Sequence, residues 1–236
     1  MELSPQLARL LREDLIILEG PALNRPPLIH TPELANLIDH VGCRSAIAQG
    51  LKGPNNRPVP VTASYKLANS TERLYMLAHG DSPRLLVGIL KMGRKNLFHY
   101  DSKGTIHQLQ EQHSVLDFYV HESFQRQGVG LTLFQAMLDY EDTSPEMLAY
   151  DRPSPKLIVR RCRSHSLSSF SCSDHSCLYA QGFLRKHFHL SDYVPQQNNF
   201  VIFNRFFEMR APPKQSAYDS ISSRPLTARN GRKRFQ

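Results

Sequence analysis

The sequence predicts an α/β protein built on a mixed, mostly antiparallel central sheet flanked by helices. Three observations carry that expectation. Short apolar runs divided by turn residues fill 74–100, as in an antiparallel meander. The run Val115-Leu116-Asp117-Phe118-Tyr119-Val120-His121 leads into a glycine-bearing loop, Gln125-Arg126-Gln127-Gly128-Val129-Gly130, and then into a helical pattern. Further short apolar runs follow that helix. A meander followed by strand, loop, helix and strand describes a mixed sheet. The 236 residues suffice for one domain with a substantial core.

The elements follow in order. Ser4-Pro5 reads as an N-cap with proline at the first helical position, opening a helix to about residue 12. Leu15-Ile16-Ile17-Leu18 is a short strand. Thr31-Pro32-Glu33 opens a second helix to about Gln49, with Leu34, Leu37, Ile38 and Val41 on one face. Residues 50–60 carry Pro54, Pro58, Pro60, Gly50 and Gly53 and form a loop. Strands are expected at 74–77, 85–90 and 96–100, with turns at 79–83 and at Met92-Gly93-Arg94. Leu131, Phe134 and Leu138 make the apolar stripe of the helix at 131–140. Residues 147–150 form a strand ending at Asp151-Arg152-Pro153, and 200–203 with Phe206-Phe207 close the core.

The net charge is +8, and its distribution matters more than its sum. Lys214, Arg224, Arg229, Arg232, Lys233 and Arg234 stand against Asp219 alone after residue 210, where Pro and Ser dominate; 211–236 reads as a disordered basic tail. Residues 1–210 read as the folded domain, nearly neutral apart from 159–181. A nucleic-acid binder argued from a pI near 9.5 therefore rests on the tail, and no specific nucleic-acid partner is expected. No apolar run approaches the roughly 20 residues that span a bilayer, so no membrane partner is expected. Met1-Glu2-Leu3-Ser4-Pro5 does not read as a signal peptide. Four cysteines do not make a secreted disulfide framework, which points to a reducing compartment.

The loop Gln125–Gly130 carries the chemistry. Helix N-termini expose N–H groups and the positive end of the helix dipole, and glycine lets backbone approach a phosphate closely. The spacing is neither G-x-G-x-x-G nor G-x-x-x-x-G-K-[ST], so neither the dinucleotide nor the P-loop reading applies. A plain strand-to-helix turn is the alternative to a diphosphate cradle. The flanking strand and amphipathic helix suit the pyrophosphate of coenzyme A.

This arrangement resembles the GNAT acetyltransferases. Longer strings resemble one branch, the α-tubulin N-acetyltransferases: Leu116-Asp117-Phe118-Tyr119-Val120-His121-Glu122-Ser123, Asp151-Arg152-Pro153-Ser154, and Val194-Pro195-Gln196-Gln197-Asn198-Asn199-Phe200-Val201-Ile202-Phe203, with Lys91-Met92-Gly93-Arg94-Lys95-Asn96-Leu97-Phe98 a looser match. The resemblance covers about residues 30 to 210. It implies a GNAT acyltransferase fold and an acetyl-CoA-dependent, metal-free enzyme. The enzyme would act as a monomer on a luminal lysine of α-tubulin in microtubules, in the cytoplasm and the axoneme of cilia.

A lysine amine, with a pKa of about 10.4, is protonated near neutrality and must lose a proton before it attacks a thioester. The developing oxyanion needs a donor such as a strand N–H. Asp151 is the candidate base and matches the family's catalytic aspartate; capping of a helix or a salt bridge to the substrate lysine is the alternative role. The family usually places cysteine where this chain has Ser114, whose hydroxyl cannot serve as a thiolate does. Asp117 is the distant alternative as base; in a central strand it reads rather as a structural, hydrogen-bonding carboxylate. For the cofactor, Gln125, Arg126, Gln127, Gly128, Val129, Gly130 and Leu131 face the pyrophosphate, and Phe118, Tyr119 and Val120 pair with the pantetheine arm. Ser154 and Lys156 match a second CoA-contacting helix. Lys66, Lys91 and Lys95 correspond to basic positions of the family's tubulin groove, and Gln49 and Asn199 to polar positions that shape the site. A non-catalytic microtubule-binding module of the same fold is the rival that Ser114 and the next segment raise.

Residues 159–181 interrupt the family pattern. Without them Pro155-Lys156-Leu157-Ile158 runs directly into Gly182-Phe183-Leu184-Arg185-Lys186-His187-Phe188. The segment holds Cys162, Cys172 and Cys177 and is rich in serine. Three readings stand. One is a zinc site with His165 and His175, though its spacing matches no common finger. Another is a lineage-specific insertion. The third is an intron carried into translation, since valine codons begin GT and a glutamine codon is CAG. The transcript distinguishes the last two.

Overall fold

The computed structural model describes residues 1–26, 28, 31–81, 83–158 and 182–210. The segment 159–181, with its candidate zinc ligands, and the basic tail 211–236 lie outside the described residues. The described part holds a six-stranded sheet in sequence order: β1 (Leu15–Glu19), β2 (Arg73–His79), β3 (Leu85–Tyr100), β4 (Ile106–Val120), β5 (Ala149–Asp151) and β6 (Phe200–Ile202). Every neighbouring pair is antiparallel except β4 and β5, which run parallel. The mixed, mostly antiparallel class read from the sequence is the class observed.

The helices are α1 (Pro5–Leu10), α2 (Pro32–Ala48), α3 (Ser64–Ala68), α4 (Val129–Glu141), α5 (Phe183–Phe188) and α6 (Asn204–Arg210). Ser4 caps α1 as expected, its hydroxyl accepting from the Leu7 amide at 3.3 Å. The alternation of side chains along β2 and β3 sorts the core onto two faces. Leu74, Met76 and Ile89 meet Leu34, Ile38 and Val41 of α2 on one face, while Tyr75 and Leu90 meet Phe134, Met137 and Leu138 of α4 on the other. Each such side chain contributes about 1.5–3 kcal/mol on burial. Phe206 of α6 closes a third cluster with Leu97, Leu109 and Ile202.

Four expectations are corrected. Met92-Gly93-Arg94 is no turn: β3 runs straight through it. A Cβ on Gly93 would lie 2.9 Å from Leu116 Cδ1 and 3.0 Å from Glu72 Cγ, so this glycine serves close packing within a strand, not a reversal. The reversal comes at 101–105, where Asp101 Oδ1 accepts from the amides of Lys103 (2.8 Å) and Thr105 (2.9 Å). β4 begins at Ile106, well before Val115, because its polar outer half gave no apolar run to read. α3 falls within 61–73, where the sequence predicts no element. Leu131 is only half-buried; α4 buries Leu133, Phe134, Met137 and Leu138.

What positions the site is the short parallel pairing. β4 and β5 pair only at Ser114–Ala149 and Val115–Tyr150. β5 stops at Asp151, and Pro153 has no N–H to extend the ladder. From Leu116 onward β4 keeps β3 on one edge, with Leu90 opposite Phe118 and Gly88 opposite Val120, and leaves its other edge to a widening gap.

Candidate active site

The gap opens into a cavity of about 1050 Å³. Phe118, Tyr119 and Val120 form one wall, and Ser154, Pro155, Lys156 and Leu157 the other. Gln125, Arg126, Gly128, Gly130 and Leu131 border the end formed by α4; Ala48 and Gln49 come from the end of α2, and Phe183, Lys186 and His187 from α5. Ten of the residues expected to bind cofactor therefore share one cavity with Gln49.

The loop has the geometry its sequence suggested. Gln125 Nε2 donates to the Val120 carbonyl at 2.8 Å, tying the loop to the end of β4. Arg126 (φ +65°) and Gly128 (φ +87°) are left-handed, and Gly128 is the N-cap of α4; glycine takes that conformation without strain. The first amides of α4 lack partners within the helix and open toward the cavity end. Gln127 and Val129 are not on the wall: Gln127 Nε2 turns back to the Ser123 carbonyl at 2.9 Å, and Val129 is the first residue of α4. Arg126, Lys156 and Lys186 stand exposed at the rim. Burial, with the neighbouring Lys186 charge, lowers the His187 pKa. The interior is apolar: the Phe118 ring lies 5.3 Å from Phe183 and 5.8 Å from Phe134.

Lys186, His187 and Phe183 were not among the expected site residues, yet a signal for them existed. The Phe183 amide donates to the Lys156 carbonyl at 2.9 Å and the Leu184 amide to the Leu157 carbonyl at 3.0 Å. If residues 159–181 are left out of the count, both are i→i−4 helical bonds. The second wall of the cavity is thus one helical ladder assembled from two pieces of chain.

The remaining expected residues lie off the cavity wall. Asp151 ends β5, ahead of the wall residue Ser154; its side chain is 14% exposed and Arg152 donates to both its oxygens at 3.1 Å. Asn199 is exposed; its carbonyl accepts from the Arg152 amide at 2.9 Å, and Phe200 pairs with Asp151, so β6 carries Asn199 to Asp151. Lys66 Nζ donates to the Pro60 carbonyl at 2.7 Å. Lys91 does not face an open groove: it is 3% exposed, paired with Glu72 at 2.9 Å and bonded to the Val61 carbonyl at 2.9 Å. Lys95, partly exposed, reaches the same Glu72 at 2.8 Å. Burial would raise the Glu72 pKa, but the bonds from Lys95 and Lys91 outweigh it and hold it below the ordinary value.

Ser114 is fully buried, its hydroxyl donating to the Gln112 carbonyl at 2.9 Å. Asp117, 3% exposed, accepts from Ser45 Oγ (2.7 Å), Gln49 Nε2 (2.7 Å) and Thr62 Oγ1 (2.6 Å).

The cavity fits acetyl-CoA on its own features. It has a helix N-terminus and three rim cations for phosphates, an unladdered strand edge for an amide-bearing arm, and an apolar interior. Among the described residues no group of three His, Cys, Asp or Glu could hold a metal ion. No helix among them is long and apolar enough to cross a membrane.

The mixed, mostly antiparallel six-stranded sheet flanked by helices is that of a GNAT acetyltransferase domain. Within that class, the family model described as GNAT acetyltransferase, Mec-17, matches residues 6–171 and 171–232, and the chain belongs to this family. The two matched stretches meet inside 159–181. An α-tubulin N-acetyltransferase from Tetrahymena thermophila is 43% identical over 180 residues, covering 76% of this chain and 37% of the relative. One from Anopheles gambiae is 41% identical over 188 residues, covering 79% and 33%. One from Phytophthora infestans is 35% identical over 195 residues, covering 78% and 95%. The chain thus spans about a third of the Tetrahymena and Anopheles proteins, and nearly all of the Phytophthora one.

Proposed function

We propose that this protein transfers the acetyl group of acetyl-CoA to the ε-amine of a luminal lysine of α-tubulin, acting as a monomer on microtubules in the cytoplasm and the ciliary axoneme. The observation that carries the reading is the single cavity in which the α4 loop, the open edge of β4 and the Lys156–Phe183 helical ladder converge. Family membership and the names of the relatives support the substrate.

Acetyl-CoA supplies an activated acyl carbon as its thioester. The chain's residues do the rest. The α4 N-terminus with Arg126, Lys156 and Lys186 holds phosphates. Backbone of Phe118 to Val120 aligns the arm and offers N–H groups where negative charge develops. Gln49 meets the acceptor amine. Asp151, sheltered at the end of β5, takes the proton the amine must lose.

The test incubates the full chain with acetyl-CoA and polymerised tubulin and reads acetyl-lysine by mass spectrometry. Acetyl on α-tubulin is the expected result; coenzyme A binding without acetyl on any tubulin lysine overturns the reading. Asp151→Asn should lower kcat by about a hundredfold or more, the scale of general-base catalysis, while the Kd for coenzyme A stays unchanged. Near-full activity in that variant removes Asp151 from the reaction.

A further inference from the structure

We infer that Asp117 is a positioning residue that fixes which end of the Gln49 carboxamide faces the cavity, and that the oxygen so presented receives the ammonium of the acceptor lysine. The inference rests on the acetyl-transfer reading above and goes beyond it.

Gln49 caps the end of α2 and lines the cavity. Its nitrogen points inward, donating to Ser45 Oγ at 2.8 Å and to Asp117 Oδ1 at 2.7 Å. Ser45 gives its own hydrogen to the same Oδ1 at 2.7 Å, so its oxygen has lone pairs for Gln49. Both amide hydrogens are therefore taken. Among the described residues, no hydrogen bond engages Oε1. A carboxylate only accepts, so a flipped amide would set oxygen against oxygen in a buried place. Asp117 thus makes one amide orientation far more stable than the other, and Oε1 is the polar atom that Gln49 offers the cavity.

Charge selects what Oε1 receives. All three donors to Asp117 are neutral, and its cross-strand neighbour Lys91 is committed to Glu72 and the Val61 carbonyl. A buried carboxylate held only by neutral donors is costly and leaves a negative field behind the Gln49 dipole. That field favours a cation at Oε1 over a neutral N–H. The acceptor lysine arrives as a cation, whereas the amides of a pantetheine arm are neutral.

A double-mutant cycle on the full chain tests this, reading kcat/KM for polymerised tubulin at saturating acetyl-CoA together with the Kd for coenzyme A. Asp117→Asn admits both amide orientations and should lower kcat/KM about tenfold to a hundredfold, the cost of a misplaced reactant. The Kd for coenzyme A should stay within about twofold, and in a Gln49→Ala background the same substitution should change kcat/KM less than about twofold. A structural role would instead cost both backgrounds alike, and that additive result overturns the inference. Should Asp117→Asn fail to fold, Ser45→Ala, which removes the other acceptor of the Gln49 amide, is carried through the same cycle with the same two outcomes. A wild-type chain that acetylates no tubulin overturns the proposed activity and this inference with it. An active wild-type chain with an additive cycle overturns this inference alone.

Discussion

Ser114 shows how burial, more than residue type, decides what a side chain can do. The position carries cysteine in the resembling family, which invites a chemical role, yet the side chain is sealed in β4 with its hydroxyl on the Gln112 carbonyl. Ser114→Ala should keep kcat within about twofold and cost about 1 kcal/mol in urea unfolding, the net worth of one buried hydrogen bond. A tenfold loss of kcat in a folded variant would show instead that the hydroxyl reaches the reaction. Lys91 teaches the same lesson from the opposite side. The family resemblance set it among the basic positions of a tubulin groove, but its side chain is buried and paired with Glu72 on the approach to β2. That pairing depends on strand register across eighteen intervening positions, which no local pattern encodes. The loop was legible because a strand-to-helix turn is local geometry, whereas Gln49, which ends α2 and lines the cavity, was singled out only through the family resemblance.

At the scale of elements, periodicity revealed what packs and concealed what protrudes. Of the outer β3–β4 hairpin the sequence showed the strand at 96–100 but neither its continuity with the inner part of β3 nor its partner at 106–114, whose residues are mostly polar; the expected part includes His99. That histidine is 1% exposed, stacks on Phe207 at 5.1 Å, and has Nδ1 without a partner among the described residues. Burial, with the His107 charge across the strand, pushes its pKa down from 6.5 to about 4, against a smaller opposing effect of Asp101. Between those values the unfolded chain takes up a proton that the native hairpin refuses. Stability therefore falls as pH drops through 6.5 and levels off below about 4, by on the order of 2–3 kcal/mol. Urea midpoints at pH 7 and pH 4.5 should show that loss in the native chain and a smaller one in His99→Leu; identical pH dependence of the two would refute it. The helical ladder that walls the cavity makes the second case. Deleting 159–181 joins Ile158 to Gly182 with the Lys156–Phe183 and Leu157–Leu184 bonds already in helical register. The shortened chain should bind coenzyme A with unchanged Kd and gain about 2–3 kcal/mol, since the ladder no longer closes across a long connection. An insoluble product, or one that no longer binds coenzyme A, would show that the segment belongs to the fold.

In the molecule as a whole the sheet has one thin seam. Strands β1 to β4 share long antiparallel ladders, whereas β5 and β6 join them through just two parallel residue pairs, Ser114–Ala149 and Val115–Tyr150. The seam was invisible in the sequence: the fold class follows from the order of apolar runs, but the parting of β4 from β5 follows from where a ladder stops, which involves Pro153 and residues far along the chain. Packing of Leu157, Leu184 and Phe203 into the α4 cluster supplements the seam, and the cavity lies directly beside it. A ligand filling that cavity touches both sides, Phe118 to Val120 from one and Ser154, Lys156 and Phe183 from the other. It binds the native state and not the unfolded chain, so coenzyme A at about a hundred times its Kd should add about 2.7 kcal/mol of stability. For a domain of this size that is a rise in Tm of roughly 5–10 °C. Hydrogen exchange locates the effect: amides of Phe118, Val120 and the first turn of α4 should slow most, because the first two point away from β3 toward the gap, while those of β1 and β2 slow only as far as global unfolding is suppressed. Equal slowing throughout, or a Tm that ignores coenzyme A, would place the ligand somewhere other than the gap between β4 and β5.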